Sequence, residues 1–131
     1  MRLTLLKAGI LIAIATLAIF RLAAAAPLAI HIHSDKAMFQ VLVSPGSVGT
    51  NNFVLQLMSG DGNLLRMKEA TMVLSLPARG IEPLERKAVL GADGYWHVGD
   101  VPIAVAGRWH LRIDALTVFE KITLEDEFDV P

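Results

Sequence analysis

From Ala37 onward, apolar side chains recur at every second residue in short stretches, and nowhere does the period lengthen to that of an amphipathic helix. A period of two sends successive side chains to opposite faces of a strand, so such a chain must bury one face and wet the other. Arg108 to Leu116 is the clearest stretch, with Trp109, Leu111 and Ile113 directed inward and His110, Arg112 and Asp114 outward. Ala37 to Val43 groups Phe39, Val41 and Val43 on one face, and Phe53, Leu55 and Leu57 repeat the pattern. Glu69 to Leu76, Ile81 to Leu90, Tyr95 to Val98 and Val118 to Val130 follow, the last including Phe119. Pro83 marks an edge or bulged start for its stretch. Trp96 and Trp109 are expected in the core.

Turn residues punctuate these stretches: Ser44 to Asn52, Ser59 to Asn63, Pro77 to Gly80, Gly91 to Gly94 and Gly99 to Pro102. Gly, Pro, Asn and Asp supply the special backbone conformations that reversals need. About seven strands at a spacing of roughly 8 to 12 residues predict an all-β domain, an immunoglobulin-like β-sandwich, with a closed barrel as the alternative. The chain has no cysteine, so no disulfide staples the domain and thiolate metal sites and thiol catalysis are excluded. The core alone must hold the fold.

The first 25 residues have the organisation of an export signal. Arg2 and Lys7 form a positive start, Ala8 to Phe20 an apolar run, and Leu22 to Ala26 the small residues of a cleavage site. Cleavage is expected between Ala25 and Ala26, leaving 26–131 as a periplasmic or extracytoplasmic domain. An uncleaved anchor from Ala8 to Ile30 is the rival, but it would place Arg21 within the span, at a cost of about 2.5 to 3.5 kcal/mol near the centre. Three of the 12 Lys and Arg residues leave with the signal and all 13 acidic residues remain, so the mature domain is acidic. A surface of that sign disfavours nucleic acid as a partner.

His31 and His33 are the candidate chemistry. Two residues apart in an extended strand, they share a face with roughly 7 Å between α-carbons. Met38 follows after Ser34-Asp35-Lys36-Ala37 and can fold back if those residues turn. Imidazole with thioether suits copper better than calcium or magnesium. His110, on the outward face of the Trp109 strand, or His97 would complete such a site; Met58, Met67 and Met72 are expected as core or surface filler. The acidic stretch Glu125 to Asp129 is expected to be a solvated edge strand. No nucleophile elbow, phosphate loop or H-E-x-x-H motif is present, so no enzyme activity is expected.

Three stretches taken together carry a resemblance: His31-Ile-His-Ser-Asp-Lys-Ala-Met38, Gly80-Ile-Glu-Pro-Leu-Glu-Arg86, and Asp93-Gly-Tyr-Trp-His-Val98 leading through Gly107-Arg-Trp-His-Leu-Arg-Ile-Asp114 to Phe119-Glu-Lys-Ile122. Their order resembles the C-terminal extracytoplasmic domain of bacterial CopD-like and YcnJ-like copper-resistance membrane proteins, and the broader YtkA-like and FixH-like β-sandwich modules. In those relatives the domain follows transmembrane helices concerned with copper uptake or tolerance. Here a signal stands in their place, so the resemblance implies copper binding or delivery rather than transport by the chain itself. A membrane copper transporter or a periplasmic protein is the implied partner. The Gly-Arg-Trp and Asp-Gly-x-Trp elements imply the sandwich, whereas His31, His33 and Met38 match the part associated with metal.

Overall fold

The computed structural model describes residues 27–131; the expected signal at 1–25 and its cleavage point lie outside the described residues. The strands are β1 (Leu28–His33), β2 (Ala37–Ser44), β3 (Gly49–Ser59), β4 (Met67–Leu76), β5 (Ile81–Lys87), β6 (Val89–Leu90), β7 (Trp96–Ile103), β8 (Gly107–Thr117) and β9 (Lys121–Val130). One sheet has the order β1-β2-β3-β7-β6 and the other β5-β4-β8-β9. Every pairing within them is antiparallel. The architecture is the expected β-sandwich. Among the described residues, no helix is long and apolar enough to cross a membrane.

The inner faces carry the alternating residues. Phe39, Val41, Val43, Phe53, Leu55 and Leu57 from one sheet meet Met72, Leu74, Trp109, Leu111 and Ile113 from the other, all buried. Phe53 and Phe128 meet edge to face across the layers, with centroids 6.4 Å apart and planes at 78°. The Trp109 indole N–H donates to Val105 O at 3.0 Å, which satisfies its polar edge inside the core. Trp96 is only half-buried and packs against the edge of this cluster.

Among the described residues nine strands replace the expected seven or so, for two physical reasons, and one strand boundary also moves. Leu28–His33 pairs with β2 along its whole length, so the chain becomes a strand before Ala37. The stretch Ile81 to Leu90 is not one strand: at Ala88 it leaves one sheet for the other. The buried Ala88 donates its N–H to Ala70 O at 2.8 Å at the crossing. The end of the chain starts its strand later than expected. Val118 to Glu120 form a turn in which Thr117 Oγ1 accepts the N–H groups of Phe119 and Glu120 at 3.3 and 3.1 Å. Phe119 is consequently 95% exposed rather than in a strand.

Gly99-Asp100 is a bulge in continuous β7, not a turn. Asn51 pairs with Val101 and Phe53 with Val98, leaving two β7 residues opposite Asn52. Asp100 takes a positive φ of 53°, and its N–H donates to Asn52 Oδ1 at 3.1 Å. This extra residue restores the inward phase, burying both Val98 and Val101.

At one end of the sandwich the β1–β2 turn and the β8–β9 turn come together, joined by a Lys36–Glu120 ion pair at 3.8 Å. Both partners are largely exposed, so the pair marks proximity more than stability.

Candidate metal site

The β1–β2 hairpin decides what faces His33. Its three-residue turn, Ser34-Asp35-Lys36, is organised by Ser34, whose Oγ accepts the N–H groups of Lys36 and Ala37 at 3.3 and 3.2 Å. The Ser34 N–H in turn donates to Ala37 O at 2.8 Å. Closing the hairpin there sets a register in which His33 lies directly opposite Met38, and His31 opposite Gln40. A slip by one residue would move every β2 side chain to the wrong face. Ser34→Ala is expected to cost about 1 kcal/mol. Urea unfolding checks this: the midpoint should fall with an unchanged slope, and an unmoved midpoint would show that the turn closes without the hydroxyl.

Ile30 and Ile32 are buried, so His31 and His33 point outward from this edge strand and are exposed. Their rings lie 6.4 Å apart between centroids and 22° from parallel. That is the repeat distance of a strand, not the closer approach of two nitrogens on one ion at about 2.0–2.1 Å each. Rotation about the two side-chain torsions of exposed histidines closes this difference without moving the backbone. Met38 also sits on the outer face, half-buried, because Ala37 and Phe39 on either side point inward. The thioether therefore lies on the imidazole side of the sheet.

Two further histidines are placed elsewhere. His110 is on β8 of the other sheet, opposite Ser75 and Glu127, with Nε2 3.4 Å from Glu125 Oε2. Its sheet turns its outer face away from that of β1, so His110 does not join His31, His33 and Met38; this corrects its inclusion in one site. Alternation along a strand shows which face a residue takes, but not which sheet. His97 does share the outer face of the first sheet, opposite Val54 and Val89. It lies three strands from β1, about 14 Å away at ordinary strand spacing. Its Nε2 sits 2.9 Å from both Asp93 carboxylate oxygens, and this bond, aided by the Tyr95 N–H, holds the Asp93 carboxyl below its ordinary pKa.

Among the described residues, no three His, Cys, Asp or Glu side chains group closely enough to hold a metal ion by themselves. A metal on the imidazole pair would need a donor of another kind, and Met38 lies in register with His33. The acidic stretch forms edge strand β9, where Arg108 bonds Glu127 at 2.6 Å and Asp129 at 3.4 Å. Asp126 takes the register position opposite inward Leu111 yet remains exposed, a charge that blocks addition of another strand.

Comparison with protein-family models and with curated proteins finds no match. Solved structures do match in fold. A copper-bound variant of FetP from uropathogenic Escherichia coli strain F11 superposes with a TM-score of 0.56 at 8% identity, covering 79% of this chain and 95% of that one. The crystal structure of the as-isolated FetP, expressed in the periplasm of E. coli, gives the same TM-score and identity over 79% of this chain and 93% of that one. At this identity the likeness establishes a shared β-sandwich.

Proposed function

We propose that this domain binds copper outside the cytoplasm and hands it on, as part of copper handling or resistance, with His31 and His33 as imidazole ligands and Met38 as a soft third. The observation that carries the reading is the His33–Met38 register pair, which sets a thioether beside two outward imidazoles on one exposed edge. Imidazole and thioether together favour copper over hard cations. The copper-bound state of a protein sharing the fold supports it, as does the resemblance to copper-resistance domains. A ligand set this open suits exchange with a partner, such as a membrane transporter or periplasmic protein, rather than storage. The reading assigns the domain a binding role and no catalytic chemistry.

Copper titration of the exported domain tests it, beside the double variant His31→Ala/His33→Ala. The wild type is expected to bind saturably and the double variant to lose that binding. Equal stoichiometry and affinity in the two proteins would overturn the proposal.

A second reading is favoured by one observation. Leu64, Val118 and Phe119 are exposed at the end of the sandwich and line a cleft of about 430 Å³ with Leu65 and Ile122. Apolar groups collected in this way suit docking on another protein, as in a metal-free assembly module. Co-purification of a partner that survives loss of both histidines, in a domain that binds no copper, would select this reading.

A further inference from the structure

The described residues contain four methionines, and the fold divides them into two pairs. Met67 and Met72 are buried in the core, where filling space explains them. Met38 and Met58 are half-buried on the outer face of the first sheet, where no interior needs filling. They are also directly opposite one another in the β2–β3 register. Since His33 is opposite Met38 on the other side, β1, β2 and β3 place His33, Met38 and Met58 in a single row across the sheet. The next row, formed by His31, Gln40 and Gln56, keeps the second imidazole beside it.

We infer that Met58 is the fourth ligand of this site and makes it selective for Cu(I). The inference rests on the copper reading above and goes beyond it in ligand set and oxidation state. Neighbouring strands lie about 4.8 Å apart, so Met38 stands between His33 and Met58 at the centre of a row about 10 Å wide. An ion seated over Met38 is within reach of a long, unbranched methionine chain from β3 and of an imidazole from β1. The backbone holds Met58 in place through its bridge to Leu64, beyond the Ser59–Asn63 turn. Ser59 N–H donates to Asn63 O at 2.8 Å, closing that turn.

The chemistry follows from the donor count. A thioether is neutral and polarizable, and it binds Cu(I) far better than Cu(II) or a hard cation. Two thioethers with two imidazoles therefore weight the site toward the reduced ion. With Met38 alone the site would have an imidazole majority and much weaker discrimination.

Met58→Leu tests the inference, because leucine keeps nearly the same volume and removes only the sulfur. Affinities for Cu(I), under anaerobic reducing conditions with a competing chelator, and for Cu(II) are measured for wild type, Met58→Leu and His31→Ala/His33→Ala. Met58→Leu is expected to weaken Cu(I) binding about 10-fold or more and to leave Cu(II) binding unchanged. Silver(I), a redox-inert stand-in, should move the ε-methyl NMR signals of Met38 and Met58 while those of Met67 and Met72 stay in place. Wild-type Cu(I) affinity in Met58→Leu, with binding still lost in the double histidine variant, would overturn Met58 as a ligand and leave the imidazole site standing. A wild type that binds Cu(II) but not Cu(I) would overturn the Cu(I) assignment alone, and absence of binding to either ion would overturn the copper reading as well.

Discussion

Phe53→Ala is expected to destabilise the domain by about 3 to 5 kcal/mol, the range for truncating a buried aromatic. Phe53 is fully buried in the middle of β3, flanked in register by Val43 and Val98. Its edge contact with Phe128 joins the two sheets. Removing the ring leaves a cavity lined by strands whose backbones are fixed by ladders on both sides, so collapse around it is limited. A domain of this size has a total stability of about 5 to 15 kcal/mol, and this chain has no disulfide to limit its unfolded state. Urea denaturation reads the loss as a lower midpoint at constant slope. A change below about 1 kcal/mol would show that the core relaxes into the space.

Asn51→Leu is the second large effect, expected at about 2 to 3 kcal/mol although the change makes the core more apolar. Asn51 is fully buried, and its side chain takes the place of missing backbone partners. Its Oδ1 accepts the Gly46 N–H at 2.8 Å, and its amide donates to Ser47 O at 2.8 Å and Gly49 O at 3.0 Å. Leucine would leave a buried N–H and loop carbonyls without partners, each costing more than an ordinary hydrogen bond contributes. The loop so held is tight. Gly46 has a φ of 83°, and a β-carbon there would lie 2.7 Å from Leu28 Cγ. Loosening it therefore frees the start of β1 as well. Hydrogen exchange checks the mechanism: the Gly46 amide should lose protection in Asn51→Leu, and retained protection would locate the cost elsewhere.

Much of this architecture was legible because burial on one face imposes a period of two. Phe39, Val41 and Val43, then Phe53, Leu55 and Leu57, then Trp109, Leu111 and Ile113 all lie where alternation puts them. Where the prediction failed, one residue type serves two purposes. Gly99-Asp100 has the composition of a turn, and the same freedom of backbone makes a bulge. Asn51, among Ser, Gly, Thr and Asn, has the look of a loop residue, yet its amide is an internal strut. The passage of Ala88 between sheets has no local signature, since both flanking segments are short and extended.

The candidate site divides in the same way. His31 and His33 are related by strand geometry within a few residues, so their common face follows from spacing alone. Met38 is one tight turn away, and its face follows from Phe39 beside it. Met58 is twenty residues further on, and its meeting with Met38 depends on the length of the β2–β3 loop and hence on Asn51. His110 fails for the complementary reason: its face was legible and its sheet was not.

The Lys36–Glu120 pair has a consequence for how the domain can be held. It brings the β1–β2 and β8–β9 reversals to one pole, so the opposite ends of β1 and β9, Leu28 and Val130, both lie at the other pole. Five strand steps separate Leu28 from His33, about 17 Å. Tethered through the chain before Leu28, or through the residue after Val130, the domain stands like a probe on a stalk, its imidazole tip uncovered and turned toward whatever approaches.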